Sequence, residues 1–449
     1  MGGSEAGARD ARGVMARARR RGRWRRALGA VALMVLLGSC LPEGAEEVPY
    51  RMDASNQAGW WSPLAERGGS IYVAYNGWGS STSGASNDTH TVYVARRTPA
   101  GTWTRGCLPA ASPATGCAHF TDDIGHRQPS VAIDGDGYIH VFASMHHDLW
   151  HYFRSDVPGD PTTMVDRSAE MPDQEVMFTY PNATRTPNGD VYLIARGNPN
   201  GRLYRWDDDA DTWSHVATFA AQNGYIVYPD DIDSDAQGNL HIAWEWAYGG
   251  TDGLRHLGSY LRYDPASGQF SDAAGTALAV PVGIDSSAVY QPLEPGELST
   301  DRGSDLNPAG FQSAKLAIDP ATGRPTAAFR LRPTDGGRFE VRLAQWDGTR
   351  WQRQTVYAGR YTTFAAIDVT LLGGRPRVYY AKTAVPNGDQ AFVAVRQPDG
   401  RWVEDAPLLP GVPVERLAVV QTADGTTDHV YLSAPPEQKL YVRRLPLAP

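Results

Sequence analysis

The stretch Ser130-Val-Ala-Ile-Asp-Gly-Asp-Gly-Tyr-Ile-His140 reads as a short apolar strand, a tight Asp/Gly turn and the start of a second strand. Asp and Gly between two β-prone runs form a hairpin signal, because such turns need residues that tolerate positive φ. The same figure returns at Asn182-Ala-Thr-Arg-Thr-Pro-Asn-Gly-Asp-Val-Tyr192 and at Asp231-Ile-Asp-Ser-Asp-Ala-Gln-Gly-Asn-Leu-His241. It returns again at Ala314-Lys-Leu-Ala-Ile-Asp-Pro-Ala-Thr-Gly-Arg324, and in weaker form around Gly69–Tyr75, Ala365–Tyr379 and Leu417–Tyr431. A charged or aromatic third strand follows each hairpin, often closing on Trp. Seven units result, starting near residues 69, 127, 180, 228, 313, 364 and 414. A repeat of roughly 35–55 residues, insertions aside, with about four strands is a propeller blade. The predicted fold is therefore all-β, a seven-bladed β-propeller. A pair of β-sandwiches or a β-helix could use similar hairpins, but the coils of a β-helix are shorter than these units.

Composition agrees with that reading. The chain has 449 residues, 41% hydrophobic and 20% charged, which excludes a disordered or wholly membrane-embedded protein. Gly 47, Pro 32, Trp 13 and Tyr 21 suit many short strands joined by tight turns. Long amphipathic helices are absent from the pattern, which excludes helical solenoids and coiled coils. The formal charge of −8 conceals nine Arg among residues 1–26; the rest of the chain holds 33 basic against 48 acidic residues. So acidic a body is a poor nucleic-acid binder, since attraction to phosphate dominates that binding.

The basic run Arg17–Arg26 precedes an apolar stretch, Ala27–Leu37, of signal-peptide length and too short for a comfortable transmembrane helix. Met15 is an alternative start. Leu37-Gly-Ser-Cys40 resembles a bacterial lipobox, in which the Cys is lipidated; an ordinary secretory signal is the other reading. The expected organisation is a signal segment over 1–40, a linker or ring-closing strand over 41–68, and the propeller over 69–449. The expected location is outside the cytoplasm, secreted or anchored by a lipid on Cys40 to an outer or cell-surface membrane. Cys107 and Cys117, ten residues apart in a Pro/Ala/Gly loop of an exported chain, are a candidate disulfide. Two Cys alone carry no zinc signature.

Residues equidistant from a hairpin turn stand side by side at its open end. Counting from Asp136, His126 and His146 should share one rim. Counting from Asn188, Tyr180 and Arg196 should share the next. Tyr228 opens the fourth unit, Trp244-Glu245-Trp246 returns to the same end, and His256 starts the strand after it. Three adjacent units thus direct His126, His146, Tyr180, Arg196 and His256 toward one mouth. His140 and His241 hold equivalent positions just after their turn glycines and read as repeated structural residues. His147 and His151 flank an aromatic run that reads as packing, and Asp207-Asp208-Asp209 reads as a solvated turn, with calcium as the other possibility. Asp122-Asp123 could orient a nearby His. Glu245, between two tryptophans, is either catalytic or held by an Arg.

Several of these segments carry a family likeness. Gly125-His-Arg-Gln-Pro-Ser-Val-Ala-Ile-Asp-Gly-Asp-Gly-Tyr-Ile-His-Val-Phe-Ala-Ser-Met-His146 and Leu149-Trp-His-Tyr-Phe-Arg-Ser155 resemble the BNR-4 repeat proteins, a group that includes seven-bladed ulvan lyases and related uronate-cleaving lyases. The likeness continues through Glu175-Val-Met-Phe-Thr-Tyr-Pro181, Leu193-Ile-Ala-Arg-Gly197, Leu240-His-Ile-Ala-Trp-Glu-Trp246, Arg255-His256 and Asn307 to Gln312. It covers most of residues 70–356 and fades toward the C-terminus. The resemblance implies His126, His146, Tyr180 and Arg196 as catalytic residues, with His256 binding substrate; Arg127, Tyr228 and Trp246 are further candidates for binding. The family often has His-Asn where this chain has His126-Arg127, and Trp-Arg where it has Trp246-Ala247, departures that bear on sugar specificity. No cofactor is expected to be required; a structural zinc or calcium occurs in some relatives, without a matching ligand set here.

The expected function is a polysaccharide lyase that cleaves a uronic-acid-containing, ulvan-like polysaccharide by β-elimination, acting as a monomer on an acidic polymer. The proton next to the carboxylate becomes acidic only once that charge is neutralised, which suits the two-pronged Arg196. Tyr180 or a His would move protons, as base or acid. A propeller hydrolase would usually need two carboxylates, or a Tyr nucleophile with its Glu and an Arg cluster, and the converging set is carboxylate-poor. A non-catalytic glycan-binding lipoprotein is the other alternative.

Overall fold

The structure is a computed structural model that describes residues 41–53, 59–77, 89–111, 115–121, 128–248, 254–292, 310–332, 339–359, 366–385 and 388–447. Strands dominate, and the only helical elements among these residues are three single 3-10 turns. The strands form six hydrogen-bonded sheets, one of which joins two antiparallel meanders by a single parallel bridge, Arg255 to Gly310. The first strands of the successive meanders are Leu64–Arg67, Ser130–Ile133, Phe178–Arg185, Tyr225–Ser234, Gly310–Ile318, Ile367–Leu372 and Arg416–Gln421. Each packs against the next, and the last packs against Leu64–Arg67, so the first strands line a closed ring. The molecule is an all-β propeller.

The first meander begins at Leu64, earlier than the unit start expected near Gly69. The segment Leu64-Ala-Glu-Arg67 gives little outward sign of being a strand, and its identity comes from pairing with Ser70–Gly77 across the Gly68-Gly69 turn. The seventh meander takes its outer strand from the other end of the chain. Ala45–Glu47 pairs with Lys439–Pro446, Ala45 opposite Arg443 and Glu47 opposite Tyr441. Glu46 also ties this strand to the first meander, accepting from Arg97 Nε at 2.5 Å and from Trp103 Nε1 at 2.6 Å.

Alternation along the strands builds the core, since successive side chains of a strand point to opposite faces. In Val191–Gly197, Val191, Leu193 and Ala195 pack against the second meander, whereas Tyr192 and Ile194 pack against the fourth. In Ser70–Gly77, Ile71, Val73 and Tyr75 face the seventh meander while Tyr72 and Ala74 face the second. The remaining neighbouring pairs share apolar layers in the same way. Each sheet is thus buried on both sides, and its hairpin turns and strand connections are left to the two ends of the ring.

The turns repeat a polar device. Asp134 accepts from Tyr138 N–H at 2.7 Å and meets His140 Nε2 at 2.9 Å, and His140 Nδ1 lies 2.9 Å from the Tyr152 hydroxyl. Asp235, His241 and Tyr260 repeat the set in the fourth meander, at 3.4 Å and 2.7 Å. Burial pushes both imidazoles below their usual range, against the pull of the Asp, which leaves the rings neutral at neutral pH. A neutral ring then donates from Nε2 to the Asp and accepts at Nδ1 from the Tyr. The expectation that His140 and His241 are structural residues agrees with this geometry.

Candidate functional site

The segment Trp60-Trp61-Ser62 runs across the open ends of the first strands. Ser62 N–H donates to Ser130 Oγ at 2.9 Å, and Ser130 Oγ donates to the Pro181 carbonyl at 2.6 Å. Ser62 O accepts from Val131 N–H at 2.8 Å, and Asn182 Nδ2 donates to Trp60 O at 2.8 Å and to Asp230 O at 3.1 Å. These bonds fix the two indoles beside Tyr180, with ring centroids 5.8 Å and 5.4 Å from it.

Tyr180 takes a left-handed conformation, φ +58°, at a bulge in its strand. Left-handed backbone at a non-Gly residue costs of order 1–3 kcal/mol and persists where its surroundings enforce it. The bulge also shifts the register: Thr179, not Tyr180, lies opposite Arg196, and pairing resumes at Asn182 and Ile194. The Tyr180 ring nevertheless lies under the Arg196 guanidinium, 4.8 Å from it, and the Tyr228 ring lies 4.7 Å away on the same cation. The two phenol rings are 5.3 Å apart. Arg196 is 3% exposed, and its Nε and Nη1 are buried with no hydrogen-bond partner among the described residues. An unpaired buried donor costs roughly 1–3 kcal/mol, more when charged, a cost that an anion at these donors would offset.

Sequence reading gave Arg255, Trp60 and Asp230 no role. Arg255 sits over Trp60 at 4.7 Å and over Tyr228 at 4.2 Å, and its Nη1 lies 3.6 Å from Glu245 Oε1. The Trp-Trp pair in a segment read as a linker or a ring-closing strand, and an Arg directly before His256, were the available signals. Glu245 is indeed held by an Arg, and its Oε2 accepts from Ser313 N–H at 2.9 Å. Burial pushes Glu245 up to about 7 against the pull of Arg255. Burial, reinforced by the Glu245 charge, pushes the neighbouring Asp230 well above the usual carboxylate range. The Asp230 carboxylate is buried, and the Ala314 backbone N–H beside it pulls the other way.

The other expected residues fall in different places. His126 and Arg127 lie outside the described residues, as do Asp122-Asp123. His146 does not continue the second meander: its strand His146–Asp148 pairs with Phe178–Arg185, placing His146 opposite Thr179, in one row with Arg196. Hairpin counting missed this because the chain leaves the second sheet after Phe142. His256 pairs with Trp246, and its ring lies 5.9 Å from Tyr225. One residue away, Arg255 sends its side chain to the Tyr228 cluster, so the two side chains point to opposite faces of the strand. Trp246 is fully buried in the layer between the third and fourth meanders, with its indole N–H donated to Ser259 Oγ at 3.0 Å. That position is core, not a sugar-facing rim. Cys107 and Cys117 are disulfide-bonded, with Cα atoms 5.6 Å apart. Among the described residues, no three His, Cys, Asp or Glu side chains come together in a way that could hold a metal ion.

The architecture and this cluster define a propeller that gathers buried guanidinium and phenol groups at one end of its ring. Residues 70–358 match the model of the BNR repeat-containing family, and the chain belongs to that family. Among curated proteins it is similar to an ulvan lyase of Pseudoalteromonas sp. (strain PLSV), at 24% identity over 63% of each chain. It is also similar to an ulvan lyase of Alteromonas sp. (strain LOR), at 22% identity over 50% of this chain and 51% of that one. The alignments therefore span about half to two-thirds of those relatives. Among solved structures, it resembles a polysaccharide lyase described as PL25 ulvan lyase, with TM-score 0.61 and 18% identity over 90% of this chain and 96% of the other. The polysaccharide lyase Uly1 gives TM-score 0.63 and 14% identity over 88% and 91%. At these identities, the structural likenesses establish the fold.

Proposed function

We propose that this protein is a polysaccharide lyase that cleaves a uronic-acid-containing polysaccharide by β-elimination, with a sulfated, ulvan-like polymer as substrate. One observation carries the reading: the buried Arg196 guanidinium, unpartnered at Nε and Nη1 and set against the Tyr180 and Tyr228 rings. The names of the curated relatives, and a related structure described as bound to -[GlcA(1-4)Rha3S]-, support the substrate class.

In this reading, Arg196 pairs with the uronate carboxylate and stabilises the enolate-like charge that forms when the neighbouring carbon loses its proton. Tyr180 lies beside that cation and serves as base, as acid or as both; His146, in the Thr179–Arg196 row, and His126 are the other proton carriers. The C–H electron pair becomes the new C=C bond, the bond to the β oxygen breaks, and that oxygen leaves with a proton. Tyr180 and Tyr228 are 1% and 2% exposed, so a sugar reaches them only when the side chains above them part. That burial also favours a second reading, a glycan-binding protein without catalysis.

One assay separates the two: wild-type protein is incubated with ulvan, glucuronan, rhamnose–glucuronate gums and glycosaminoglycans. A lyase product carries an unsaturated uronate that absorbs in the ultraviolet. Tyr180→Phe should lower kcat/KM by about 10²–10⁴, and Arg196→Lys by about 10²–10³, with unfolding curves close to wild type. Binding to any of these polymers with no ultraviolet product would leave the non-catalytic reading; full activity in both variants would reject the site.

Export, with a lipid on Cys40, belongs to the same proposal. It rests on the Arg17–Arg26 and Ala27–Leu37 pattern and on the Cys107–Cys117 disulfide, which suits an oxidising compartment. Cys40→Ser should move the protein from the membrane fraction to the soluble exported fraction; unchanged membrane association would count against the anchor.

A further inference from the structure

A second cationic group lies at the other end of the ring. Strand Phe178–Arg185 carries Tyr180 near its start and Arg185 at its end, roughly 15 Å further along the pleat. There a cavity of about 470 Å³ opens among the hairpin turns, lined by Arg67, Arg96, Arg185, Tyr72 and Ser70. Arg67 ends the first strand of the first meander, and Arg96 comes from that meander's third strand. The three guanidinium groups thus reach one space from three different strands.

Two of the three are held in place. Arg67 Nη2 donates to the Gly135 carbonyl. Arg96 Nη1 donates to Gly159 O at 2.9 Å and Nη2 to Ser70 Oγ at 3.3 Å, while its Nε is buried with no partner among the described residues. The turn glycines Gly137 and Gly159, both at positive φ, leave the space these groups occupy. A Cβ at Gly137 would lie 2.4 Å from Arg67 Nη1, and one at Gly159 would lie 2.9 Å from Arg96 Nη1 and 3.1 Å from the Tyr72 hydroxyl. Arg185 makes no side-chain hydrogen bond or ion pair among the described residues. Burial, and after it the charge of Arg67, pushes Arg185 below its usual range.

The carboxylates facing this group are Glu66, Asp134 and Asp208. Glu66 caps the turn through Gly69 N–H at 2.7 Å, Asp134 is shared by His140 and Arg154, and Asp208 lies against Gly135 and Gly189. The three guanidiniums repel one another across the cavity, and those carboxylates are engaged elsewhere, so an anion among the guanidiniums would offset that repulsion directly. We propose that this cavity is a binding site for a tetrahedral oxyanion of the sulfate type, held by Arg67, Arg96 and Arg185 with the Tyr72 and Ser70 hydroxyls completing its shell. Donors that reach the cavity from three different strands suit an anion with oxygens in several directions better than a flat carboxylate. The oxyanion is either free sulfate or the sulfate ester of a glycan.

Isothermal titration calorimetry on the whole protein tests this, with sodium sulfate against sodium chloride at equal ionic strength. Sulfated and desulfated oligosaccharides of one backbone form the second pair. Sulfate stabilises most proteins by exclusion, so the readout is saturable heat and its dependence on Arg185. Saturable sulfate binding that weakens at least tenfold in Arg185→Gln is the expected result. Arg185-dependent binding of the sulfated oligosaccharide, with none of inorganic sulfate, assigns the site to the ester. Equal binding in wild type and Arg185→Gln, or no saturable heat in either pair, overturns the proposal. Arg185→Gln should leave the unfolding midpoint without sulfate, and turnover of any lyase substrate, close to wild type. The binding result therefore stands or falls apart from the lyase reading.

Discussion

Glu245 is a carboxyl group in an environment that resists its charge. Its ordinary value is near 4.5 and burial raises it to about 7, although Arg255 and Ser313 N–H favour the ionised form. Below pH 4.5 the group is protonated in both folded and unfolded chains and costs nothing. As pH rises from about 4.5 to about 7, the unfolded chain ionises first, and the native state loses ~1.4 kcal/mol of stability for each rise of one in pH. Glu245→Gln keeps the acceptor for Ser313 N–H and removes this group's own titration, while Asp230, relieved of the Glu245 charge, still ionises late. The variant's unfolding free energy should therefore gain on wild type by a few kcal/mol across that window, read from urea midpoints at several pH values. A constant difference would show that Glu245 is ionised throughout. At this scale the sequence disclosed residue types more readily than partners. Tyr180, Arg196 and Tyr228 were legible because hairpin counting brings them to one end. Arg255 and Asp230 were not, because their roles depend on which face of a strand a side chain takes.

Bulges explain why counting from the turns came close but missed by one. The first strands of the third, fourth and fifth meanders each slip, between Thr179 and Asn182, between Pro229 and Asp231, and between Gln312 and Lys315. An extra residue in one strand re-aims its side chain and is otherwise silent in the alternation. The slipped residues include Tyr180, Asp230 and Ser313, which is why the cluster gathers there. The turns at the opposite end were far easier to read, since Asp, Asn and Gly are needed for their geometry. They also pack on one another: Gly135 N–H donates to Gly189 O at 2.9 Å, and a Cβ on Gly135 would lie 2.7 Å from Gly189 Cα. Gly135→Val should cost roughly 1–3 kcal/mol in chemical unfolding, because two backbones must separate. A neutral effect would mean these turns move apart freely.

Over the whole molecule, the order of hairpins was visible in sequence, and a ring-closing strand within 41–68 was one of two readings, but which residues form it and what they pair with were not visible. A three-residue strand, Ala45–Glu47, is too short to show alternation, and its partner Lys439–Pro446 lies at the far end of the chain. Deleting Leu41–Glu47 removes that pairing, the Glu46 bonds to Arg97 and Trp103, and the Glu47–Lys439 ion pair at 2.9 Å. It also bares the edge of the seventh sheet. Stability should fall by roughly 3–5 kcal/mol in urea titration, and association through the open edge should show in size-exclusion chromatography. An unchanged midpoint would show that the apolar layers alone hold the ring.

That closing pair has a bearing on how the protein is made. Its two strands are separated by roughly 390 residues, a stretch that a ribosome emitting roughly 5–20 residues per second needs about 20–80 s to deliver. Throughout that interval the nascent chain presents Val48, Met52, Ile71 and Tyr75 without Ala418, Tyr431, Leu440 and Val442, which cover them in the finished molecule. The first-made edge thus stays sticky until translation is nearly over. During those seconds the fold itself does not shield that apolar face from other chains.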